Sequence, residues 1–145
     1  MSRFAEVMNN VIIGQRKPDE LYNRIFIVSA YSGITNMLLE NKKTGEPGVY
    51  GKFAAGDSAW KASIEQVRAR MIEYNRSFAS IGLDQELADE FVNSRIDGIL
   101  DCLLDLMRLR SFGHFTMSSY LSPTRELLSA VGEAHSAYNS TLILQ

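Results

Sequence analysis

"RIFIVSAYSGITNMLLE", residues 24–40, decides the fold class. Ile25 to Val28 form a continuous apolar run rich in β-branched side chains, the pattern of a strand covered on both faces. The run passes without an ordinary loop into Ser29-Ala30-Tyr31-Ser32-Gly33. A helical pattern then follows over 32–42, with Ile34, Met37 and Leu38 on one side. Small residues at such a junction let a ligand approach the backbone, Ser29, Ser32 and Thr35 offer hydroxyls, and the start of the helix offers N–H groups to an anion. The same residues also suit a tight strand–helix turn in which serine and threonine only cap. Composition leaves both readings open.

Outward from this junction the chain reads as helical. In "SRFAEVMNNVII", residues 2–13, Phe4, Val7, Met8, Val11 and Ile12 share one helical face, with Ser2 as N-cap and Gly14 as stop. "GQRKPDELYN" reads as a turn, and the glycine-rich "KKTGEPGVYGKFAAGD" as a loop. Trp60, Ile64, Val67, Met71, Tyr74 and Phe78 then recur at alternating spacings of four and three, a heptad seam. "SIGLD" supplies a turn, with Gly82 as stop and Asp84 as the next N-cap, before a second seam of Val92, Ile96, Ile99, Leu103 and Leu106. The two helices predict an antiparallel αα-hairpin over about 58–110. Ser122-Pro123 predicts the start of a last helix, which Gly132 weakens by about 1 kcal/mol relative to alanine. A lone buried-type strand has no partner in this pattern, and something that would pair with it is expected to be missing.

Composition narrows the function classes. The 145 residues suit one domain, and fifteen basic against seventeen acidic side chains, net −2, give no attraction to nucleic acid or anionic membrane. No apolar run reaches the roughly 20 residues of a membrane span, and the single cysteine, Cys102, makes the cytoplasm the expected compartment. Cys102 beside Leu103 is expected to pack within its helix. His114 and His135 stand far apart with no Cys/His cluster, so no structural metal is expected. "GEPGVYGKF", residues 45–53, fails as a phosphate loop because its spacing is one residue too long and Phe53 stands where a hydroxyl should bind magnesium. Glu133, after Gly132 in the small-residue stretch "ELLSAVGEAHSAY", suits either a substrate ammonium group or a plain surface position beside a helix contact.

"VSAYSGITNMLLE" resembles the second signature of aspartate kinases, in which a strand runs into Ser-Ala-x-x-Gly-x-Thr-Asn/Asp and then a helix. "ELLSAVGE" is similar to that family's Ser-x-Gly-Glu signature on a later helix, and "NKKTGEPGVY" and "VGEAHSAYN" resemble the branch associated with ectoine synthesis. The resemblance implies an amino-acid kinase α/β fold, truncated, of which residues 1–145 are the N-terminal portion of the catalytic domain: mostly helical, with few strands. The family's opening Lys-x-Gly-Gly-Thr-Ser strand is expected before Met1, and its ATP-binding second half after Gln145. The family transfers the ATP γ-phosphoryl group to the β-carboxylate of L-aspartate, with ATP and Mg2+ as cofactors of the longer enzyme and none expected on this piece alone. By resemblance, Thr35 would hydrogen-bond aspartate, Glu133 would hold its ammonium group, Ser29 would line the pocket and Gly33 would keep the turn open. Without the lysine clamp, a form of charge stabilisation usually worth several kcal/mol, the chain alone is expected to be inactive and to bind aspartate weakly or not at all. The alternative is a stand-alone helical interaction module. A homo-oligomer is expected under either reading, because exposed strand edges and apolar faces favour association.

Overall fold

The computed structural model describes residues 3–14, 16–21, 23–113, 116 and 118–145. The hairpin forms as the seams require. Helix α5, Trp60–Phe78, and helix α6, Gln85–Ser111, lie against each other, and Ile64, Val67, Met71, Val92, Ile96 and Leu103 are fully buried between their neighbours. A single 3-10 turn, Ala79–Ile81, ends α5; Gly82 then takes the left-handed conformation (φ 95°) that a side chain would oppose. Asp84 caps α6 by accepting the Leu87 N–H at 3.1 Å. On the outer face Arg68 of α5 reaches Asp97 of α6 at 2.6 Å and the Asn93 carbonyl at 3.3 Å.

Helix α7, Ser118–Leu144, packs along α6, where Phe91 and Tyr138 stack at 4.2 Å between ring centroids. It begins before Ser122-Pro123, so Pro123 lies inside the helix. Proline has no N–H to give the Ser119 carbonyl one turn back, which makes this first stretch the weakest of the helix. Two short helices, α3, Ile34–Leu38, and α4, Val49–Ala55, lie across α5 and also touch α7.

Several further expectations are corrected. No strand forms at 24–30: the segment has no regular structure, and Ile25 and Ile27 are 93% and 96% exposed. A run built to be covered on both faces finds no sheet among the described residues, whose only β pairing is an isolated bridge between Glu40 and Pro47. The loop predicted after residue 41 contains α4, whose Val49 and Phe53 are buried, Phe53 edge-on to Trp60. Gly48 is required there by close approach, since a Cβ would collide with the Asn36 and Met37 carbonyl oxygens. The N-terminal segment is not one α-helix but a turn of helix α1, Phe4–Val7, followed by a π-helical turn, Met8–Ile12, closed by Ile13 N–H to the Met8 carbonyl at 2.8 Å. Its apolar face is only partly used: Phe4 meets Phe78, while Val7 and Val11 are exposed. The predicted turn after Gly14 holds a short helix, α2, Pro18–Leu21. The proposed cap Ser2 and His114 lie outside the described residues.

Candidate functional site

The junction 29–35 is fastened from two sides. Gly33 adopts φ 85° and turns the chain into α3, and the Ile34 N–H is already taken by the Tyr31 carbonyl at 3.1 Å. From α5, the Tyr74 hydroxyl donates to the Ser32 carbonyl at 2.7 Å, and its ring stacks on Tyr31 at 4.9 Å. From α7, Gly132 comes so close that a Cβ there would stand 2.6 Å from the Ala30 Cβ and 3.2 Å from Ile34 Cγ2. The glycine that weakens α7 as a helix is thus the residue that lets its backbone reach the junction.

Of the four predicted site residues, Ser29, Gly33 and Thr35 lie on this one turn, and Glu133 follows the glycine that touches it. Ser29 and Glu133 are exposed and Thr35 is half-buried. Glu133 has no ion pair among the described residues. An exposed carboxylate, a half-buried hydroxyl and an open glycine turn around one contact could receive a small polar molecule carrying a cationic group.

Beneath the junction lies a buried polar network that sequence reasoning missed. Asn75 of α5 donates through Nδ2 to Asp89 of α6 at 2.8 Å, and this fixes its Oδ1 toward α7. There Oδ1 accepts from Asn139 Nδ2 at 2.8 Å and from His135 Nε2 at 2.6 Å. His135 therefore carries its proton on Nε2, and its buried Nδ1 has no partner among the described residues. Burial lowers the His135 pKa to about 4, the nearby Asp89 charge opposing part of the shift. The His135 ring also meets Tyr31 edge-on at 5.2 Å, joining the network to the junction. Burial raises the Tyr31 phenol pKa, and the nearby Asn139 side chain offsets part of this. The available signals were Asn75 next to Tyr74 on the α5 seam and the i,i+4 spacing of His135 and Asn139. Cys102, expected to pack, is exposed.

No helix of the described residues is long and apolar enough to cross a membrane. No family model and no solved structure matches the chain. It is, however, 51% identical over its whole length to the curated "Aspartate kinase Ask_Ect" of Stutzerimonas stutzeri, of which it spans 31%. The likeness first carried by two short signatures extends over every part of this chain, which is similar throughout to one stretch of an aspartate kinase.

Proposed function

We propose that this chain is a portion of an aspartate kinase catalytic domain and contributes part of the L-aspartate pocket. The observation that carries the reading is the packing of Gly132 on Ala30 and Ile34, which puts the two signature segments side by side. In this pocket the Glu133 carboxylate holds the substrate ammonium group, the Thr35 hydroxyl bonds a carboxylate, Ser29 lines the wall, and Gly33 leaves the backbone open for close approach. Phosphoryl transfer depends on positioning and charge neutralisation. ATP and magnesium would supply the phosphoryl group and its counter-charge in the longer enzyme. The described residues contain no cluster of three carboxylate, imidazole or thiol groups suited to a metal.

Titration of the chain with L-aspartate, followed residue by residue by NMR, tests the pocket. Weak binding centred on residues 29–35 and 133, at least tenfold weaker in Glu133→Ala, is expected. A response that Glu133→Ala leaves unchanged would sink the assignment. The chain alone is expected to form no aspartyl phosphate with ATP, and hydroxamate trapping of turnover by pure protein would contradict this.

A second reading, an interaction module that self-associates, is favoured by the exposure of Ile25 and Ile27. Such a module ignores aspartate, so the same titration separates the two.

A further inference from the structure

Residues of α3, α4, α5 and the connection between α3 and α4 line a cleft of about 180 Å³ that includes Asn36, Asn41, Glu46, Lys52, Ser63 and Gln66. Lys52 reaches across from α4, and its ammonium donates to Ser63 Oγ at 2.7 Å. Ser63 is buried, and its hydroxyl is committed in turn to the Ala59 carbonyl at 3.1 Å. The bond to Ser63 therefore fixes the position of the ammonium without neutralising it. Lys52 is half-buried and has no carboxylate within ion-pair reach among the described residues, so its two remaining N–H groups face the cleft uncompensated. The surrounding donors are also free. Asn41 spends its Oδ1 on the Lys43 and Thr44 N–H groups, leaving its amide N–H₂. Among the described residues, the Asn36 and Gln66 side chains carry no hydrogen bond.

We propose that this cleft is a binding site for a small oxyanion, held by the Lys52 ammonium and flanked by the amide donors of Asn36, Asn41 and Gln66. Exposed Glu46 on the same wall offsets part of the Lys52 attraction; this weakened attraction grows only linearly with ligand charge while the desolvation cost grows with its square, so a monocarboxylate is preferred to a phosphate dianion. The site is separate from the Glu133 pocket and does not depend on that assignment.

Lysine footprinting of the full 145-residue chain tests it without a variant. Reductive methylation, read by mass spectrometry, is run with acetate or inorganic phosphate at matched ionic strength. Acetate is expected to slow modification of Lys52 at least threefold while Lys42, Lys43 and Lys61 keep their rates. Protection by phosphate but not acetate would keep the oxyanion site and overturn the monocarboxylate preference. Equal protection of all four lysines, or of none, would overturn the proposal. In an NMR titration, Lys52→Gln should weaken acetate binding at least tenfold and Lys52→Arg should keep most of it, while Glu133→Ala leaves it unchanged. Loss of acetate binding in Glu133→Ala with Lys52→Gln unaffected would assign the anion to the other pocket and overturn this one.

Discussion

Gly132 is held by geometry rather than by helix preference. An alanine there must displace Ala30, and overpacking of this kind costs about 1–3 kcal/mol. Gly132→Ala should lower the denaturation midpoint accordingly, and adding Ala30→Gly should recover part of the loss; purely additive effects in a double-mutant cycle would contradict the contact. His135 gives a pH signature. The folded protein protonates it only near pH 4, whereas the ordinary value is 6.5, so between these the unfolded chain binds more protons. Stability is therefore full above about pH 6.5 and falls as pH drops toward 4, by a loss on the order of 3 kcal/mol. Urea unfolding at several pH values should show this slope, and it should flatten in His135→Gln. The signature residues could be read from sequence because each is local. Asn75, Asp89, His135 and Asn139 could not be grouped, because their partnership depends on three helices meeting in space.

The hairpin helices were legible because a heptad seam states both the element and its buried face, and every residue of the first seam from Trp60 to Phe78 is buried. Asp84 was legible for the same reason, since a cap acts within its own turn. Asp84→Ala should cost about 1 kcal/mol, and Asp84→Ser should recover most of it, as thermal melts would register. Helix α4 was hidden by its glycines. Gly48 serves a close crossing over α3 and not a flexible loop, a difference that only the position of the Asn36 and Met37 carbonyls reveals. The strand failed for the opposite reason. A continuous apolar run states that both faces want cover but does not supply the cover.

For the molecule as a whole, this leaves Ile25 and Ile27 on an apolar, exposed segment without regular structure, next to an otherwise well-packed helical body. Replacing both with threonine removes nothing buried and should change stability by less than about 0.5 kcal/mol. The same pair of changes should reduce self-association in light scattering; an unchanged mass distribution would place association elsewhere. The helical body also has an uneven wiring. The α5–α6 pairing closes through residues 79–84, whereas Ala30 meets Gly132 across most of the sequence and Asn75 meets His135 across 60 residues. Short closures form quickly and long ones slowly, because chain entropy must be lost before the distant contact rewards it. The hairpin should therefore assemble first and the turn at 29–35 dock last. In hydrogen exchange, the amides of that turn should open through small, frequent excursions while the hairpin amides wait for global unfolding. The segment that carries the signature residues is thus also the last to be locked in place and the first to let go.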